Sequence, residues 1–163
     1  MNYFDNNETI DYSMLVQFNE QTKMFQQLRP TKKGSPTDAV GKHYTKIGEK
    51  RTFNIELKHR YCSIDQYPTV YIEDYKMSDM LLHQHIFMIE PLYINFYNDG
   101  YVAIFNLAKL TSMPKCEIVN VYSGGKRAEQ KQERRYCLDL FDACIYKDNK
   151  LVKPMHQKWQ QNS

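Results

Sequence analysis

Asp38 and, eighteen residues later, the triplet Glu56-Leu57-Lys58 supply the residue types that metal-dependent cleavage of a phosphodiester requires. Two carboxylates can hold Mg²⁺, an oxygen-seeking ion usually bound through one or two carboxylates with substrate phosphate completing the shell. A lysine beside them stabilises charge building on the phosphate or activates the attacking water. The run Thr52-Phe53-Asn54-Ile55-Glu56-Leu57-Lys58 alternates with the period of a strand. Phe53, Ile55 and Leu57 therefore face one way, Glu56 and Lys58 the other. If Asp38 opens the neighbouring strand, its carboxylate meets that of Glu56.

In GSPTDAV (34–40) and FNIELKHR (53–60) the chain resembles the PD-(D/E)XK nuclease superfamily, and within it the Holliday-junction resolvases and restriction-type nucleases. The resemblance extends more loosely from about residue 10 to about residue 110. It implies that Asp38, Glu56 and the backbone carbonyl of Leu57 bind a divalent metal, Mg²⁺ with Mn²⁺ as a substitute, and that Lys58 takes part in catalysis on DNA. It also implies a restriction-endonuclease-like α/β core, a mixed central β-sheet flanked by helices. Thr37 stands where the family writes proline, with Pro36 one place earlier.

A second acid-x-lysine triplet, Asp74-Tyr75-Lys76, lies within VYIEDYK. Only Asp65 stands upstream as its partner, and it falls where a strand passes into a helix, so its side chains are expected to diverge. The first triplet has the basic surroundings a phosphate backbone favours: residues 29–60 hold nine Lys or Arg against three acids. Lys32, Lys33, Lys42, Lys46, Lys50, Arg51 and Arg60 are the candidate DNA contacts. The plainer reading makes Asp38 a turn cap after Pro36 and Glu56 and Lys58 a same-face pair on a solvated strand.

Family members often add a polar or acidic residue from the first helix. Ile10, Met14, Phe18, Gln21, Phe25 and Leu28 recur at helical spacing, predicting a helix over 10–28 stopped by Pro30. Gln21 lies on that stripe, whereas Glu20 is the acid in its middle but points away. Both are candidate contributors. His43 and His59 fall near the proposed cleft, while His83 and His85, two apart on a helix, do not share a side.

The remaining pattern predicts strands at about 38–44, 51–59 and 69–73 and a helix over 75–87 with Met77, Met80, Leu81 and Ile86 inward. A hairpin of 92–97 and 101–107 is expected around Asn98-Asp99-Gly100, with strands at 116–122 and 136–146. A basic loop, Lys126 to Arg135, is expected between these last two, read either as a grip on nucleic acid or as a solubilising loop. One domain over 1–163 is expected, its core at about 10–110 followed by a β-rich extension.

With 42% hydrophobic and 25% charged residues the composition is that of an ordinary globular protein. No apolar run reaches membrane-spanning length and the N-terminus is polar and acidic, so a cytoplasmic location is expected. Cys62, Cys116, Cys137 and Cys144 have no CxxC spacing and are expected to be reduced packing thiols. The expected activity is Mg²⁺-dependent hydrolysis of DNA phosphodiesters, with DNA as partner and a homodimer where two strands are cut. The alternative is a nucleic-acid-binding or assembly protein that keeps the fold without turnover.

Overall fold

The computed structural model describes residues 3–122 and 130–154. Helix α1 (Tyr3–Thr22) is followed by three strands paired antiparallel in sequence, β1 (Gln27–Pro30), β2 (Ala39–Tyr44) and β3 (Lys50–Arg60). β4 (Thr69–Glu73) runs directly into α2 (Asp74–Phe87), which brings the chain back to β5 (Glu90–Tyr97), parallel to β3. β6 (Tyr101–Asn106), β7 (Lys115–Tyr122), β8 (Gln130–Asp139), β9 (Cys144–Lys147) and β10 (Lys150–Lys153) complete the order. The main sheet runs β1-β2-β3-β5-β6-β9-β10, and a second sheet runs β4-β8-β7. The parallel β3–β5 pair among antiparallel neighbours makes the main sheet mixed, as the sequence pattern led us to expect of an α/β protein with a mixed central sheet flanked by helices.

The alternation of the strands sorts the core onto the two faces of this sheet. Phe53, Ile55, Leu57, Leu92, Ile94 and Phe96 turn toward Leu15 and Phe18 of α1. Tyr93, Tyr97, Ala103 and Phe105 turn toward Val70 and Ile72 of β4 and Met77 and Met80 of α2. Each fully buried aliphatic or aromatic side chain of this kind contributes about 1.5–3 kcal/mol, which is what holds both helices to the sheet.

Helix α1 ends earlier than its apolar spacing predicts. Lys23 adopts the left-handed conformation (φ 55°) and donates its N–H to the Asn19 carbonyl (2.8 Å). The Asn19 amide then holds Phe25 by accepting from its N–H (2.8 Å) and donating to its carbonyl (3.0 Å). Phe25 and Leu28 keep the helical phase but belong to the return into β1. Phe25 fills the space over Gly41, where a Cβ would lie 2.6 Å from its ring.

The hairpin at Asn98-Asp99-Gly100 forms as expected, with Gly100 at φ 81°. The expected strand over 136–146 is divided. Residues up to Asp139 pair in the small sheet, a short 3₁₀ turn covers Leu140–Asp142, and Cys144–Lys147 joins the main sheet. Of the expected basic loop, Ser123 to Glu129, with Lys126 and Arg127, lies outside the described residues, and Gln130 to Arg135 is strand. In α2, Met77 and Met80 are buried as expected, whereas Ile86 is exposed. All four cysteines are free thiols. No helix among the described residues is long and apolar enough to cross a membrane.

Candidate functional site

The centre of the site follows from a difference in strand length. β3 has 11 residues and β2 has 6, so β2 pairs only with Lys50 to Ile55. Beyond Ile55 the β2-side edge of β3 has no strand partner. Its inner amides cannot be left bare, and side chains take the place of a strand. Asp38, immediately before β2, donates its backbone N–H to the Ile55 carbonyl (2.9 Å) and accepts the Leu57 N–H on Oδ2 (2.7 Å). Thr31 N–H binds the Asp38 carbonyl (2.9 Å), so the residue is tied on both sides. The carbonyl of the buried Thr37 also accepts a hydrogen bond from the Thr31 hydroxyl.

The register Ala39↔Ile55 sets Asp38 opposite Glu56, and directly opposed side chains lie on one face with Cβ atoms about 4.5–5.5 Å apart. Glu56 is 4% exposed. Burial and the neighbouring Asp38 charge push its carboxyl up to about 8, although Lys76 pulls the other way. A residue's N–H and C=O share one strand edge, so the Leu57 carbonyl lies on the edge to which Asp38 is bonded. Lys58, on the face of Glu56, is exposed.

A third carboxylate comes from α1. Asp11 is half-buried, and burial raises its carboxyl, with Asp38 adding to the effect and His59 and Lys58 opposing it. The His59 backbone N–H also favours its ionised form. Asp38 and Asp11 thus flank the free edge of β3 at Leu57 and His59. Glu20 and Gln21 lie elsewhere on the helix, both exposed, so the inward phase expected for Gln21 is not the one adopted. The signal for Asp11 was its position four residues before Leu15 and seven before Phe18, the two buried anchors of α1.

Lys76 is the second residue that sequence reasoning left aside. The passage from β4 into α2 brings its ammonium into an ion pair with Glu56. Pairing with Glu56 and the charge of Glu73 raise the Lys76 ammonium against the opposing effect of burial. The lysine of the second triplet therefore meets the acid of the first. Asp74 of that triplet instead faces Arg134 (3.6 Å).

The basic candidates are not all near this point. Lys32 and Lys33 stand exposed in the loop leading to Asp38. Lys42 pairs with Thr52, four residues along β3 from Glu56, a separation of about 13 Å at 3.3 Å per residue. Lys46 lies in the β2–β3 turn, further still. Arg51 is bound bidentately to Glu90 (2.7 and 2.7 Å), and Lys50 opens β3 at its distant end. Arg60 is half-buried and tied to Asn95, Tyr71 and Tyr93. His43 contacts the Met24 carbonyl (3.1 Å) at the distant end, whereas His59 contacts Asn98 (2.9 Å) beside Asp11. Arg135 of the expected basic loop binds Glu133 (2.9 Å).

Among the described residues no group of three or more His, Cys, Asp or Glu is set close enough to form a metal cage by itself. Asp38, Glu56 and one backbone carbonyl nevertheless fit Mg²⁺, which keeps several waters and needs only one or two carboxylates. The raised Glu56 carboxyl supports that fit, because a cation there would relieve the repulsion between two neighbouring acids.

No protein-family model and no curated protein sequence matches the chain. Among solved structures it is similar to Hjc, a Holliday junction resolvase from the archaeal hyperthermophile Archaeoglobus fulgidus, at 14% identity and a TM-score of 0.47, over 82% of this chain and 84% of that one.

Proposed function

We propose that the chain is a metal-dependent nuclease that hydrolyses DNA phosphodiester bonds at the free edge of β3. The observation that carries this reading is the opposition of Asp38 and Glu56 across β2 and β3, where burial and the Asp38 charge hold Glu56 up to about 8. Two acids forced together in this way are costly to the fold and useful to a cation. Asp38, Glu56 and the Leu57 carbonyl would hold Mg²⁺ or Mn²⁺, which supplies Lewis-acid polarisation of the scissile phosphate and a more acidic water.

The chain's own groups have separable roles. Asp38 is fixed by the Leu57 amide, so one of its oxygens is committed to the backbone and the other remains for the cation. Lys58, exposed at the same edge, meets the phosphate and stabilises its developing charge. Asp11 orients the attacking water from the α1 side. Lys76 occupies the Glu56 carboxyl in the metal-free chain and gives way to the divalent ion. Lys32 and Lys33 hold the adjoining backbone through charge, and this contact weakens with salt.

The test is cleavage of plasmid and branched DNA with Mg²⁺ or Mn²⁺, repeated with a chelator and with Glu56→Gln. Metal-dependent cleavage lost in the variant is expected. Cleavage that survives both chelation and Glu56→Gln would refute the assignment. DNA binding without cleavage by the wild-type protein would favour the non-catalytic alternative.

A further inference from the structure

A cavity of ≈ 420 Å³ opens on the same face of the main sheet, beyond Lys58 at the end of β3, lined by Arg60, Cys62, Tyr67, Thr69, Tyr71 and Tyr97. Its size falls within the range of small-ligand pockets. Among the described residues Arg60 is the only charged one that lines it. Its Nε donates to Asn95 Oδ1 (2.8 Å), and its Nη2 donates to the Tyr71 carbonyl (2.9 Å) and the Tyr93 hydroxyl (2.6 Å). All three acceptors are neutral, and among the described residues Arg60 has no carboxylate partner. A half-buried guanidinium with only neutral partners lacks the counter-charge that usually accompanies it, and with its Nε and both Nη2 hydrogens donated, Nη1 is left to meet a phosphate.

The aromatic walls narrow the ligand further. Tyr67 is 58% exposed at the mouth, and its only hydrogen bond among the described residues is from Gln66 (3.1 Å). Tyr97 is 7% exposed, and its hydroxyl bonds to no described residue. Rings beside one cation are the combination on which an unstacked base and its phosphate are held. A paired duplex offers phosphates on a convex surface and keeps its bases stacked, so it cannot fill a recess of this kind.

We propose that this cavity is a subsite for one DNA nucleotide displaced from its helix, with its phosphate on Arg60 and its base against Tyr67 and Tyr97. The proposal rests on DNA being the substrate of the neighbouring site. Glu56, Lys58 and Arg60 alternate along one strand face, and Arg60 is about 13 Å from Glu56 at 3.3 Å per residue. The subsite therefore selects DNA that is unpaired a short distance from the cut: forks, flaps or junctions rather than uninterrupted duplex.

The test is fluorescence anisotropy in chelator with two probes of the same sequence, a forked DNA with unpaired arms and a fully paired duplex. Tyr67→Ala, at an exposed position, is expected to weaken fork binding about tenfold and duplex binding by no more than about twofold. Arg60→Lys is expected to act in the same direction, and circular dichroism of both variants establishes that they are folded. Equal losses on both probes, or fork binding unaffected by Tyr67→Ala, would overturn the proposal. Millimolar free dTMP carries the same phosphate and base and is expected to displace the fork and not the duplex; displacement of both probes alike would also overturn the proposal. Because the chelated assay reads no cleavage, the subsite can fail while metal-dependent hydrolysis stands, and the reverse.

Discussion

Glu56→Gln should make the metal-free protein less sensitive to pH while abolishing its stabilisation by Mg²⁺. The Glu56 carboxyl ionises near 4.5 in the unfolded chain and near 8 in the folded one. Between those values the unfolded chain has released the proton and the folded chain has kept it. Stability is therefore full below pH 4.5, falls as pH rises, and levels off above about pH 8. Each pH unit in that window costs about 1.4 kcal/mol, or about 3 kcal/mol between pH 4.5 and 7. Gln retains an oxygen for the Lys76 ammonium, so the variant keeps the contact and loses only the titration.

Urea denaturation in chelator at pH 5, 7 and 9, taken as the difference between wild type and variant, isolates this one group because every other titration is common to both. The difference should shift toward the variant by about 4 kcal/mol from pH 5 to pH 9, the part of the window above pH 5, whether or not the variant is more stable in absolute terms. Mg²⁺ at about 100 times its dissociation constant should then return about 2.7 kcal/mol to the wild type, and much less to the variant. A difference curve flat with pH would refute the account of Glu56 as a buried acid held against Asp38. Equal Mg²⁺ stabilisation of both proteins would remove Glu56 from the metal site.

Lys58→Ala should leave folding intact, because the side chain is exposed, and reduce cleavage by about 10²–10³-fold. Lys76→Ala should preserve cleavage and tighten Mg²⁺ binding by calorimetry; the opposite pattern would exchange the roles of the two lysines. Asp11→Asn should lower Mg²⁺-dependent cleavage about tenfold at unchanged stability, the size of effect seen when a group supporting a metal site is lost, and wild-type rates would leave Asp11 a structural cap. Gly41→Ala should destabilise by about 1–3 kcal/mol in urea, since its Cβ would meet the Phe25 ring at 2.6 Å. The loss should shrink in a Phe25→Leu background, and an undiminished loss there would place the strain elsewhere.

The parts of the fold written in local pattern were readable from the sequence. β3 announced itself through period-2 alternation, and the β5–β6 hairpin through Asn98-Asp99-Gly100, whose glycine takes the positive φ the turn needs. What escaped was decided by contacts distant in sequence. The end of α1 depends on the Asn19 amide reaching Phe25, which apolar spacing does not encode. Likewise, Cys137 and Tyr146 alternate as one strand would, yet belong to separate sheets, because the 3₁₀ turn at Leu140–Asp142 redirects the chain. Lys76 was discounted on local geometry that was sound for its own triplet. Its partner is Glu56, twenty residues upstream, and only the approach of α2 to the sheet joins them.

The position of the site follows from the same distinction. A strand that continues past its neighbour leaves backbone donors and acceptors on one edge, and these must be satisfied in ways that do not join another strand. Here the donors are met by acids: Asp38 at Leu57 and Asp11 beside His59. The acceptors on that edge, including the Leu57 carbonyl, are left among carboxylates, where a hard cation is the complementary partner. The arrangement that keeps β3 from pairing with a foreign strand is thus the one that concentrates oxygen ligands at its end. A variant that lengthened β2 to cover residues 56–58 would satisfy the same amides with backbone, and it should gain stability while losing metal binding. Retained Mg²⁺ affinity in such a variant would show that the unpaired edge is incidental to the site.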